Sequence, residues 1–131
     1  MILVDTSVWI DYFNGVENWQ TDSLDRLLIQ ETVLIGDIIL TEILQGFDSD
    51  NDFKKAKEAL DPLDCVHLGG KELAIQAASN YRLLRAKGIT IRKTVDMLIA
   101  NWCISHTVEL LHNDKDFERI AGELALGIYG A

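Results

Sequence analysis

Among twenty-one acidic side chains, Asp96 stands where an acid is costly. Its neighbours Val95, Met97, Leu98, Ile99, Ala100, Trp102, Cys103 and Ile104 leave nearly every direction around a helical axis apolar, so the helix they predict is largely buried. On a helical wheel Asp96 shares its side with Ile99, Ala100 and Cys103. An ionised carboxylate there costs several kcal/mol unless a basic side chain or a cation compensates it. Asp5 and Asp114 each stand where an aliphatic run stops and a helix is about to start. Singly, each reads equally well as a plain helix N-cap; as a pair they mark the same rim of a sheet. Glu42 falls in the row of Ile38 and Gly46, off the apolar face of Ile39, Ile43, Leu44 and Phe47, and alone it reads as a solvated residue. Asp116 is open between a ligand, an acid behind the ligands and a surface charge. Asp48, Asp50 and Asp52 read as a solvent-facing acidic loop.

If these acids meet, the chemistry follows from their donor atoms. Carboxylate oxygens select hard cations, Mg²⁺ or Mn²⁺, over zinc, which favours His and Cys. His67, His106 and His112 have no zinc spacing and read as core or surface residues. Cations held by carboxylates neutralise a phosphate group and acidify an attacking water, which is phosphodiester hydrolysis.

The elements that must bring the acids together can be read from hydrophobic patterning. Ile2 to Val4 and Val33 to Ile35 are short aliphatic runs of the kind buried on both faces of a parallel sheet, Val108 to Leu111 reads as another buried strand, and Leu63 to Leu68 is a further strand candidate. Helical patterns separate them: from Thr6 past Phe13, from about Asp22 to Glu31, from Gly36-Asp37 through Phe47, from Phe53 to Leu60, from Lys71 to Lys87, and from Lys93 or Thr94 to about Ser105. A helical turn over Phe117 to Ile120 and an edge strand over Ala125 to Ile128 complete the reading. Strands alternating with helices predict a three-layer α/β/α fold around a central parallel sheet, with ligands beyond the carboxyl ends of its strands.

At 131 residues, with 48% hydrophobic side chains and one proline, the chain reads as a single domain over residues 1–131. No apolar stretch approaches the roughly 20 residues of a bilayer span, and the start has no basic segment before its apolar run. A cytoplasmic protein without a membrane role is the expectation. Cys65 and Cys103 read as small core residues rather than a disulfide. The net charge of −9 opposes a phosphate backbone unless cations or local basic clusters intervene. Arg82, Arg85, Lys87, Arg92 and Lys93 form such a cluster just before Asp96, open between a solvated face and contact with phosphates.

Four blocks then carry a resemblance: Val4-Asp5-Thr6-Ser7, Thr41-Glu42-Ile43-Leu44-Gln45-Gly46, Thr94-Val95-Asp96-Met97-Leu98-Ile99-Ala100 and Asn113-Asp114-Lys115-Asp116-Phe117. In this order they resemble the signature blocks of PIN-domain ribonucleases, and in particular the VapC-type toxins of bacterial and archaeal toxin–antitoxin pairs. The resemblance spans essentially the whole chain. It implies a PIN-like fold and a Mg²⁺- or Mn²⁺-dependent endoribonuclease in which Asp5, Glu42, Asp96 and Asp114 bind metal. Glu42 would serve as ligand or water-orienting base, Asp116 as an auxiliary acid, and Thr6 or Ser7 as polar neighbours. Asn113 departs from the Thr or other small polar residue of many relatives, without removing an acid. The implied partners are an RNA substrate, reached in part by Arg82, Arg85, Arg92 and Lys93, an antitoxin presenting Arg or Lys to the acids, and a second copy in a homodimer. Trp9 or Trp19 could serve such protein contacts, although core packing is the default for each. Two alternatives stand beside this. A phosphatase or phosphotransferase would use Asp5 as nucleophile, but Asp5-Thr6-Ser7 lacks the acid that normally follows. A binding-only module has no need of the intact acid set.

Overall fold

The computed structural model describes residues 1–130. Its strands are β1 (Ile2–Val4), β2 (Val33–Gly36), β3 (Asp64–Val66) and β4 (Glu109–Leu111). All pair in parallel, in the order β3-β2-β1-β4. Every residue of β1 and β2 is buried, which is why they read as unbroken aliphatic runs rather than as alternating patterns. The helices are α1 (Thr6–Phe13), α2 (Trp19–Gln30), α3 (Asp37–Gln45), α4 (Asp50–Leu60), α5 (Lys71–Ala86), α6 (Thr94–His106) and α7 (Lys115–Ala121). Helix α1 packs on α2 and α3, while α6 packs on α5 and α7, giving helical layers about the sheet. The three-layer α/β/α arrangement expected from the sequence is the one observed. One core cluster runs through it, from Leu3, Ile35 and Leu110 in the strands to Trp9, Ile39, Ile99 and Phe117 in the helices. No described helix is long and apolar enough to cross a membrane.

Several local expectations need correction. Cys65 is exposed, because β3 is an edge strand with two of its three residues at the surface; Cys103 is buried as expected. Asp50 and Asp52 are not in a loop: Ser49 accepts the Asp52 N–H at 3.3 Å, and both acids sit in the first turn of α4, where they complement the helix dipole. Helix α2 begins at Trp19, three residues before Asp22, because Asn18 and Thr21 form a reciprocal capping box. The last edge strand shrinks to a single parallel bridge from Leu110 to Ile128. Trp9 is in the core, but Trp19 remains 52% exposed.

Candidate active site

Asp5 follows directly on β1, and its backbone N–H still donates to Leu111 O at 2.9 Å, so the sheet itself fixes the residue. Its Oδ2 caps α1 by accepting the Ser7 N–H at 3.1 Å and the Ser7 Oγ–H at 2.7 Å. Ser7 Oγ in turn accepts the Asn113 N–H at 3.0 Å, which ties the turn after β1 to the turn after β4. Asp114 mirrors this, capping α7 with Oδ1 on the Asp116 N–H at 3.0 Å. Both acids are therefore N-caps, and in each the cap occupies only one oxygen. Capping and ligation do not exclude one another here.

Asp5, Thr6, Ser7, Glu42, Lys93 and Asp96 line one cleft of about 250 Å³. Glu42 reaches it from α3, held by the Thr6 Oγ1–H donating to Oε1 at 2.8 Å. Asp96 reaches it from the first turn of α6 and is only 3% exposed. Its Oδ2 is buried without a hydrogen-bond partner among the described residues. Asp114 stands beside the cleft, its Oδ2 3.9 Å from Lys93 Nζ.

The basic cluster divides. The guanidinium of Arg92 donates through Nε to Asp116 Oδ2 at 3.2 Å and through Nη2 to Asp114 Oδ1 at 3.3 Å, and its backbone N–H reaches the same Asp116 oxygen at 3.3 Å. Arg119 stands 3.5 Å from Asp116 Oδ1. Arg82 and Arg85 do not approach the acids; they line a groove with Tyr81, Thr94 and Leu98 between α5 and α6. Asn113 is braced from two sides, accepting from Gln20 Nε2 at 3.3 Å and donating to Asp11 Oδ2 at 3.2 Å. Arg92's grip, the braces Gln20 and Asp11, and His112, whose Nδ1 accepts the Asp114 N–H at 3.1 Å, escaped the sequence reading. For His112 a local signal existed, since a residue two before an N-cap is within reach of its backbone.

Among the described residues no three acids, histidines or cysteines are already drawn into a metal-sized cage. Unneutralised carboxylates repel one another, and Arg92 and Lys93 draw Asp114 and Asp116 toward themselves. Apart from the Lys93 ammonium, the polar groups that line the cleft beside the orphaned Asp96 oxygen are carboxylates, hydroxyls and the Gln45 amide, oxygen donors that fit a hard divalent cation.

The PIN domain family matches residues 2–123. The chain belongs to the PIN-domain family. Among its relatives, VapC ribonuclease Mb1587 of Mycobacterium bovis is 34% identical over 123 residues, covering 92% of each protein. VapBC2 from Rickettsia felis, solved bound to a DNA fragment from their promoter, superposes with a TM-score of 0.77 at 23% identity, over 98% of this chain and 97% of that one. A toxin–antitoxin complex from Klebsiella pneumoniae gives a TM-score of 0.67 at 20% identity, over 89% and 90%.

Charge in this PIN domain is finely divided. Burial, with the Asp5 charge added to it, pushes the Asp96 carboxyl up to about 7, against a partial offset from Lys93. Burial also raises Asp5, although Ser7 donates to it twice. Burial alone would raise Asp116 too, but the Arg92 N–H and guanidinium hold it below the usual carboxylate range. The cleft acids thus have only Lys93 as partial compensation, whereas Asp116 is gripped by Arg92. Burial lowers the His112 imidazole, in keeping with a neutral ring whose Nδ1 is an acceptor.

Proposed function

We propose that this chain is a divalent-cation-dependent endoribonuclease, a single PIN domain over residues 1–131, and the toxin of a toxin–antitoxin pair. The observation that carries the reading is the partnerless oxygen of Asp96, buried in a cleft whose other acids are Asp5 and Glu42. No basic side chain among the described residues forms an ion pair with Asp96. The relative named a VapC ribonuclease, alike over 92% of both proteins, supports RNA as the substrate.

Asp5, Asp96 and Asp114 would hold Mg²⁺ or Mn²⁺, with Glu42 as a further ligand or as the base that orients water. Such a cation supplies charge neutralisation at the scissile phosphodiester and acidifies the attacking water. Thr6 fixes the Glu42 carboxylate through its hydroxyl, leaving Oε2 for the cation or for a water proton. Ser7 holds Asp5 Oδ2, so that Oδ1 is the oxygen available for binding. Asn113, joined to Ser7 and braced by Gln20 and Asp11, keeps the two turns in register. Asp116, buried and gripped by Arg92, acts from behind the ligands. Lys93, exposed at the cleft mouth, is the phosphate contact; Arg82 and Arg85 would serve RNA lying farther along α5.

Arg92 and Lys93 pair with Asp114 and Asp116, and an antitoxin segment bearing Arg or Lys would compete for those oxygens. A cytoplasmic location and a homodimer complete the proposal. The test is a cleavage assay on tRNA, rRNA and mRNA with Mg²⁺, Mn²⁺ or EDTA. Cleavage by the native protein with either cation, its loss in EDTA and its loss in a folded Asp96→Asn variant are expected. Metal-dependent cleavage that survives Asp96→Asn would overturn the assignment.

A further inference from the structure

A second cleft, of about 540 Å³, adjoins the acids, because Asn113 and Asp114 line it. Its other walls carry chemistry the hydrolytic machinery does not use. Trp19 opens α2 and leaves 52% of its surface to solvent, a large aromatic area kept out of the core. It is nonetheless held in place. Gly130, at φ +83°, lays its backbone against the indole so closely that a Cβ there would stand 2.8 Å from Trp19 Cζ3. Tyr129 is half-buried beside it, anchored by its N–H donating to Leu110 O at 2.9 Å.

His112 provides an independent observation. The ring is 6% exposed and lines the cleft. Its Nδ1 accepts the Asp114 N–H, so the ring proton sits on Nε2. That donor has no partner among the described residues. That nitrogen keeps contact with solvent in the cleft, so it is free to donate to an acceptor on a ligand. Lys115 adds a cation with no ion pair among the described residues, whereas Arg119 is committed to Asp116. Glu118 is the one further acid on the wall, and the Asp114 carboxylate is turned to Arg92 and Lys93.

An occupant must therefore offer a planar face to the aromatics, an acceptor on its edge to Nε2–H, and a negative charge to Lys115. An unpaired nucleotide offers all three, and only an unpaired one has a free face to stack. A peptide would need a separate residue for each. We propose that this cleft is a subsite for one unpaired nucleotide of the RNA flanking the scissile phosphodiester, its base on Trp19 and Tyr129 and its edge on His112. The inference rests on the ribonuclease reading and deepens it, since an RNA chain laid across the acids at Asp114 reaches this cleft next.

The experiment is steady-state cleavage of single-stranded oligoribonucleotides by the full-length protein, with an abasic residue moved along the substrate one position at a time. Trp19→Ala is expected to raise KM about tenfold and Trp19→Phe to restore it to within about threefold, as base stacking requires. One abasic position should raise KM similarly in the native protein and no further in Trp19→Ala. The native protein needs no variant for a second readout. Trp19 is its one strongly exposed indole, so its fluorescence should be quenched by the intact oligonucleotide and not by the one abasic at that position. An unchanged KM in a folded Trp19→Ala variant, with native cleavage intact, overturns the subsite and leaves the ribonuclease reading standing. Loss of binding to a basic peptide with KM for RNA unchanged also overturns it, and marks a protein-docking surface. If the native protein cleaves no RNA, both readings fall together.

Discussion

The Asp96 carboxylate bears two penalties at once, its own burial and the repulsion of Asp5, and Lys93 offsets only part of them. In the folded protein it keeps its proton up to about pH 7, whereas the ordinary value that applies to the unfolded chain is 3.8. Between those values the folded state holds the extra proton, so this residue's contribution to stability declines as pH rises and is lost above about 7. Asparagine has no such proton. In EDTA, the stability of Asp96→Asn relative to the native protein should rise between pH 5 and pH 8 by about 1–3 kcal/mol, as the native protein alone loses the proton that relieves its buried carboxylate. Urea unfolding at the two pH values measures it. An equal difference at both would mean that the charge on Asp96 costs nothing, and would count against cation binding at Asp96.

At the scale of the element, α3 matters because it delivers Glu42, and its start is set by Gly36. The backbone there, at φ −82° and ψ 144°, suits any residue, so the constraint is packing rather than conformation. A Cβ at Gly36 would collide with the Leu68 Cδ1 methyl and stand 2.9 Å from its Cγ, and Leu68 is fully buried with little room to yield. Gly36→Ala should cost about 1–3 kcal/mol in chemical unfolding, as overpacking does, and lower RNA cleavage by displacing α3. A variant of native stability would show that the loop after β3 moves freely, against the packing described. The same contrast explains what was legible in the sequence. Strands β1 and β2 could be read because their burial is written in consecutive aliphatic residues, β4 from the Leu110-Leu111 pair, and the acids Asp5 and Asp114 because each caps the helix that follows β1 or β4. Strand β3 misled about Cys65, since its pairing with β2 alone, which leaves it at an edge, follows from the strand order and not from its own residues. The clasp of Arg92 on Asp114 and Asp116 was hidden for another reason: the partners lie 22 and 24 residues apart and meet only once α6 and β4 have packed.

At the scale of the whole molecule, a net charge of −9 resists both compaction and contact with RNA, and part of that charge is concentrated at one cleft. A cation bound only by the folded protein adds stability by mass action, about 2.7 kcal/mol at a hundredfold excess over its Kd, which is several degrees of Tm in a domain of this size. Any salt relieves general repulsion, so the informative comparison is Mg²⁺ or Mn²⁺ against NaCl at equal ionic strength. Divalent ions should raise Tm beyond the NaCl control at pH 8. The excess should shrink as pH falls below about 7, because protons then compete for Asp96, and it should be largely absent in Asp96→Asn. Equal gains from sodium and magnesium would mean that the protein responds to screening alone, and the cleft would be an accident of folding rather than a place built for an ion.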